Sequence, residues 1–377
     1  MNGRVLFHVQ YLLGIGHLQR SLRIAEALVA RGIAVTLVQG GPPVPEVDRA
    51  DGIDIVQLPP IRARDATFAL VGMAGGPVND ALRHERRDRL LAAFAETRPD
   101  AVVIEGYPFA RRAFSFELDP LIAAAREAGS RVVCSVRDIP TVRDDPERHR
   151  DIAVRVRADF DAVLVHGDRD FIPFEVAFPP VAQIADRLFY TGYVTTPVQP
   201  AVAAVPGGEV LISVGGGAAG QALLAAALEA RRQGCLAGRP WRVLAGATLT
   251  GAAFAALQAT APSGTTIERF RSDFPALLRR CHVSVSQAGY NTVLDIIAAR
   301  ARAVLVPFSA ERETEQLLRA EHLARLGAAE LVRESELTPA RLAAAVERAA
   351  GREPALVTIE TGGADRSAAV IAGLIGQ

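Results

Sequence analysis

The strongest constraint on this chain is an alternation that runs through most of its length. Short apolar, β-branched runs are each followed by a segment with helical spacing. Parallel strands need crossover connections long enough to return to the same sheet edge, so this order reads as helices joining parallel strands. Strands are predicted over 5–10, 33–38, 53–58, 100–105, 131–136, 162–166 and 188–191, and helices over 17–31, 78–97, 118–128 and 145–160. In the first helix Leu18, Leu22, Ala25 and Leu28 recur on one face.

The pattern lapses over 195–208, a stretch with three prolines and no periodicity. It then restarts, with strands over 210–214, 242–245, 266–270, 281–285 and 303–307 and helices over 221–233, 252–260, 273–280, 293–299, 313–326 and 339–350. The expectation is an α/β chain of two Rossmann-like domains, their parallel sheets facing across a cleft. An acceptor-binding domain spans 1–194, a linker 195–208 and a donor domain 209–364. A last helix, 365–377, is expected to pack back on the first domain.

A chain of 377 residues, half of them hydrophobic, suits two domains of ordinary size. Lys plus Arg equals Asp plus Glu at 42 each. Nucleic acid is therefore not an expected partner, because phosphate neutralisation needs a basic surplus. Cys134, Cys235 and Cys281 form neither a metal knuckle nor a disulfide framework, which fits a reducing compartment. The histidines lack paired ligand spacing, so no metal is expected. Asp168-Arg169-Asp170 matches an Asp-x-Asp motif but reads as a surface loop.

No signal peptide is read at the start, and no apolar run approaches the ~20 residues that span a bilayer. A cytoplasmic chain follows, with peripheral contact at the inner membrane face left open. The apolar, glycine-rich 68–76 stretch, with Arg62 and Arg64 nearby, reads either as an ordinary loop with a short helix or as an acceptor-side flap touching lipid.

Three strand-to-helix turns carry the chemistry. The first is Leu13-Gly14-Ile15-Gly16-His17-Leu18-Gln19-Arg20. A dinucleotide fingerprint needs a third glycine where Gln19 stands, so a dehydrogenase is not expected. His17 either caps its helix or serves as a general base, since imidazole titrates near neutrality. Glu105 ends another strand, where its carboxylate could hold the imidazole tautomer or pair with Arg20 or Arg137. The second turn is the glycine loop Gly215, Gly216 and Gly217. The third is Ser286-Gln287-Ala288-Gly289-Tyr290-Asn291-Thr292-Val293-Leu294-Asp295. There Gly289 permits close backbone approach, Asn291 and Thr292 can cap the helix, and the helix amides can hold a phosphate. Asp295 is placed to accept from a sugar hydroxyl pair.

These stretches together resemble GT-B glycosyltransferases, most of all the family 28-like UDP-GlcNAc transferases that complete lipid II and uncharacterised bacterial predicted glycosyltransferases. Gln287 to Asp295 is similar to the UDP-sugar signature His-Cys-Gly-Trp-Asn-Ser-Thr-Leu-Glu, with Gln287 in place of its His and Asp295 in place of its Glu. Glu315-Gln316 matches the pair that binds donor-sugar hydroxyls, and the segment with Phe270 and Arg271 resembles the one that holds uracil. Gly215 to Gly217 resembles the loop near the phosphates, and Gly14-Ile15-Gly16-His17 the loop bearing the catalytic base. Glu105 falls where many of these enzymes carry that base's acidic partner.

The resemblance implies metal-independent, inverting transfer of a sugar from a nucleotide sugar to a hydroxyl acceptor. The donor would be UDP-activated, and the acceptor a small molecule, a glycan or a lipid-linked group. The first turn also resembles UDP-sugar hydrolases of the pseudaminic-acid pathway, which makes hydrolysis the alternative. A non-catalytic nucleotide-sugar-binding protein is a second one. Oligomeric state is not legible.

Overall fold

A computed structural model describes residues 3–12, 15–44, 51–64, 69–140, 145–195, 208–214, 220–246, 249–308 and 315–376. The chain divides into two compact units, Met1–Pro197 with Ile359–Gln377 and Val198–Thr358.

The first unit runs β1 (Arg4–Val9), α1 (Gly16–Val29), β2 (Ala34–Gln39), β3 (Ile53–Gln57), β4 (Ile61–Ala63), β5 (Leu70–Gly72), α2 (Asp80–Thr97), β6 (Ala101–Glu105), α3 (Ser115–Glu127), β7 (Arg131–Arg137), α4 (Pro146–Asp159), β8 (Ala162–His166) and β9 (Leu188–Tyr190). Seven strands form one sheet in the order β3-β2-β1-β6-β7-β8-β9. Its pairings are all parallel. Strand order reverses between β1 and β6, the switch point where open α/β sheets leave a crevice at the carboxyl ends of their strands.

The strands are buried on both faces, hence their near-continuous Val, Ile and Leu content. Leu6, Val102, Ile104 and Val132 pack into one core with α2, α3 and α4. Val5, Phe7, Val103 and Val133 pack into a second with α1. Beneath the first core Arg86, fully buried, grips Glu117 through two hydrogen bonds of 2.7 and 2.6 Å and donates to the carbonyls of Gly40 and Pro59. A buried ion pair is tolerated only when its remaining donors are also satisfied, and here they pin the turns after β2 and β3.

Sequence boundaries hold where a named cap exists. Asn79 accepts from the Leu82 amide at the start of α2, and Asp145 accepts from Glu147 and Arg148 at the start of α4, with Pro146 in the first turn. Two readings need correction. The described residues between 61 and 77 form an antiparallel hairpin of β4 and β5, not a loop with a short helix. Phe68 lies outside the described residues. Asp168 does not sit on a surface loop: it is buried and accepts from the Asp170 and Glu360 amides.

The second unit runs β10 (Val210–Ser213), α5 (Gln221–Arg232), β11 (Trp241–Leu244), α6 (Gly251–Ala259), β12 (Thr265–Glu268), α7 (Phe274–Arg280), β13 (Val283–Ser286), α8 (Tyr290–Ala299), β14 (Ala303–Leu305), α9 (Glu315–Arg325), β15 (Glu330–Leu331) and α10 (Pro339–Ala350). Its sheet is parallel in the order β12-β11-β10-β13-β14-β15, with its own switch point between β10 and β13. A separate core gathers Trp241, Val243, Val283 and Val285 with α5 and α10.

The chain then returns to the first unit as α11 (Gly363–Leu374). There Ala368, Ile371 and Ala372 join the core of α1. Among the described residues no helix is long and apolar enough to cross a membrane.

Candidate active site

In the first unit, β1 and β6 flank the switch point, so the turn after one and the end of the other share a sheet edge. His17 begins α1 and Glu105 is the last residue of β6. The His17 Nδ1 lies 2.8 Å from Glu105 Oε1. Arg20, one turn along α1, donates to the same oxygen at 2.5 Å. Its guanidinium also lies 3.2 Å from His17 Nδ1, so the shared carboxylate oxygen gathers all three groups. Two of the three partners considered for Glu105, His17 and Arg20, are thus present at once, while Arg137 is not among its hydrogen-bonded partners in the described contacts. Helix α1 has no side-chain cap, so capping is not the role of His17.

Electrostatics fix the protonation states. Burial alone would raise the Glu105 carboxyl, but His17, Arg20 and Arg111 outweigh it and hold the group below the usual carboxylate range. Burial pushes the His17 imidazole well below its ordinary 6.5, and Arg111 and Arg137 push the same way against the field of Glu105. The pair is therefore a neutral imidazole beside a carboxylate. With the carboxylate accepting from Nδ1–H, the lone pair sits on Nε2, available to a proton. The second carboxylate oxygen is buried with no hydrogen-bond partner among the described residues, so the geometry favours the His17 side.

Below this pair lies a buried network that the sequence did not suggest. Ser135, Glu105's partner on β7, has its hydroxyl 2.7 Å from His166 Nε2, and His166 Nδ1 lies 3.0 Å from the Thr191 hydroxyl. Desolvation holds His166 far below its ordinary value, hence neutral. No periodic signal marks it, because Ser135 lies on β7, His166 ends β8 and Thr191 follows β9.

In the second unit the corresponding edge gathers the ends of β12 and β13 with the start of α8. The helix cap is Gly289, in extended backbone and without any side-chain cap bond. Asn291 and Thr292 are therefore second and third helix residues and do not cap, which corrects the sequence reading. The first-turn amides are left for an outside acceptor, the arrangement that suits an anion. Asp295 lies one turn beyond Asn291, partly buried, and Gln287 is buried just before the helix. Glu315 opens α9 and accepts from Arg319 at 3.1 Å, and Arg319 also reaches the Ala288 carbonyl. Arg319 went unremarked in the sequence, although its i+4 spacing from Glu315 was visible. The Gln316 side chain accepts from the Phe308 amide at 3.0 Å.

Phe270, just beyond β12, presents its ring to solvent at 70% exposure. Arg271 is held by Asp273 through two bonds of 2.8 Å and by Glu268 at 3.1 Å. Gly16 opens α1 beside His17. Gly14 and Gly215 to Gly217 lie outside the described residues.

Comparison with known proteins follows the same division. Residues 211–367 match the model of the glycosyltransferase family 28 C-terminal domain. A UDP-N-acetylglucosamine–N-acetylmuramyl-(pentapeptide) pyrophosphoryl-undecaprenol N-acetylglucosamine transferase of Brucella anthropi is 39% identical over 85 residues, 22% of this chain and 22% of that protein. The chain thus spans about a fifth of the length of the curated relatives it matches.

Similarity of fold extends much further. MurG of Acinetobacter baumannii superposes with a TM-score of 0.61 at 19% identity, covering 98% of this chain and 99% of that one. The calicheamicin glycosyltransferase CalG4 gives 0.62 at 18% identity, covering 100% and 94%. The chain has the GT-B fold, and its second unit resembles the C-terminal domain of glycosyltransferase family 28.

Proposed function

We propose that this protein is a nucleotide-sugar-dependent glycosyltransferase that inverts the anomeric centre and delivers the sugar to a hydroxyl acceptor. The observation that carries the reading is the His17–Glu105 pair at the switch point of the first sheet. Glu105 holds the ring so that Nε2 takes the acceptor proton, and it stabilises the imidazolium that forms. The second unit takes the donor, a reading supported by its likeness to the family 28 C-terminal domain.

In this reading the diphosphate lies on the α8 amides and the 215–217 loop, Asp295 receives ribose hydroxyls and Phe270 packs against the base. Glu315 and Gln316 face the donor sugar. Negative charge on the leaving diphosphate is met by helix amides and arginine side chains, a route that requires no metal. The relatives' named activity supports a UDP-activated donor in this reading, with lipid-linked molecules among the candidate acceptors.

The test is His17→Ala assayed with UDP-sugars. Turnover should fall about 10²–10⁴-fold, the usual cost of losing a positioned general base. Calorimetric UDP affinity should stay within about twofold. Normal turnover by this variant would overturn the assignment.

A further inference from the structure

In the second unit one buried cation ties together two segments that carry the site. Arg319 lies on the buried face of α9 and is itself almost wholly enclosed. Its Nη1 donates to Glu315 Oε1 at 3.1 Å and to the Ala288 carbonyl at 3.4 Å. Its guanidinium carbon stands 5.5 Å from the centre of the Tyr290 ring, within cation–π range. Ala288 and Tyr290 flank Gly289, the cap of α8, and Glu315 opens α9. Neighbouring Gln316 is tied in turn to the Phe308 amide, beyond β14. The start of α9 is therefore stitched to the turns that leave β13 and β14.

Taking a guanidinium out of water is costly unless a carboxylate and further acceptors receive it. Here those groups come from α9 itself and from both sides of the α8 cap. A lysine ammonium is a point charge on a flexible stem, whereas a planar guanidinium can face a ring and serve carboxylate and carbonyl together. The space over the cap is open. A Cβ built on Gly289 would meet only Thr292 Oγ1, 3.8 Å away, among the described residues within 4 Å. We propose that Arg319 is a positioning residue for the donor: it fixes the 288–290 turn, and with it the α8 amides, against the carboxylate of Glu315. It touches neither phosphate nor sugar and acts through the segments it holds. Groups set in place before binding spare the ligand the entropy of ordering them. The proposal rests on the reading that the second unit takes the donor, with its diphosphate on the α8 amides.

The experiment titrates the full-length chain with UDP and with uridine, which lacks the diphosphate. Arg319→Lys keeps the charge and loses the fork, so any change in binding reports geometry rather than net charge. It should bind UDP at least about tenfold more weakly, the loss of one charge-assisted hydrogen bond or more. Its uridine affinity should stay within about twofold of wild type, because Phe270 and Asp295 lie beyond the residues that Arg319 touches. Arg319→Met keeps most of the stem and should show the same split, which covers failure of the Lys variant to fold. Fluorescence of Trp241, buried in the core of this unit, shows whether each variant is folded at the titration temperature. Equal losses for UDP and uridine would show a merely structural role and overturn the proposal, as would unchanged UDP affinity in the folded variant. Wild type that bound UDP no more tightly than uridine would instead overturn the donor reading, and the positioning role with it.

Discussion

Glu105 serves its neighbour only while it is a carboxylate, and three cationic or hydrogen-bonding groups keep it one. Replacing it by Gln keeps the shape but removes the charge that stabilises imidazolium. Glu105→Gln should lower kcat about 10²–10⁴-fold with KM for the donor little changed, because in the proposed mechanism its partner acts on the acceptor. Steady-state kinetics checks this, and a pure KM effect would argue for a structural ion pair. The pH dependence has a definite sign. His17 is held below 6.5, so the base stays unprotonated into mildly acid solution, and the acid limb of kcat/KM should fall below pH 6.5. Stability responds in the same direction. The unfolded chain protonates this His near 6.5 while the folded one resists, so its contribution is full above that pH and declines as pH falls through the window beneath it. An acid limb above 6.5 would contradict the buried environment.

At the scale of elements, the strands and most helices were legible because a parallel sheet covered on both faces imposes apolar runs, and its crossovers impose a 3.6-residue period. The start of α8 was misread for a local reason. Asn and Thr are good caps in general, but here Gly289 turns the chain one step earlier, and they fall inside the helix. The β4–β5 hairpin was missed because its strands are only three residues long, too short to show an alternation. The docking of α11 depends on a glycine whose role no local pattern reveals. A Cβ at Gly363 would approach the Gly192 carbonyl oxygen to 2.3 Å and the Val194 side chain to 2.9 Å. Gly363→Ala should therefore destabilise the first unit by about 1–3 kcal/mol, the usual range for overpacking. Thermal melts followed by circular dichroism would show it, and an unchanged melt would mean that the seam yields freely.

At the scale of the molecule, each unit has its own hydrophobic core, so unfolding need not be a single transition. The chain has one tryptophan, Trp241, and it is buried in the core of the second unit. Its fluorescence therefore reports that unit alone. If the second unit holds the donor, UDP at about 100 times its Kd should stabilise the Trp241 transition by about 2.7 kcal/mol. Deleting 359–377 should lower the circular-dichroism transition of the first unit, by uncovering α1, and leave the Trp241 midpoint in place. A UDP shift confined to the other transition would place the donor in the wrong unit.

The residues by themselves determined that this is an α/β chain with two parallel sheets; the linker expected over 195–208 lies mostly outside the described residues. They also pointed to His17, Glu105 and the 286–295 turn as the places where chemistry gathers. Periodicity and turn composition are local properties, and local properties survive in a one-dimensional string. Tertiary structure alone decided that Arg20 shares the oxygen of Glu105 that His17 binds, and that Asp168 is buried against the Glu360 amide 192 positions away. It also decided that Ser135, His166 and Thr191 form a buried network, and that Arg112, Arg148 and Arg155 line one cavity. Each of these brings together groups from segments far apart in the chain. Such contacts depend on strand order and helix placement, which follow from the whole chain packing at once and leave no spacing signature in the sequence.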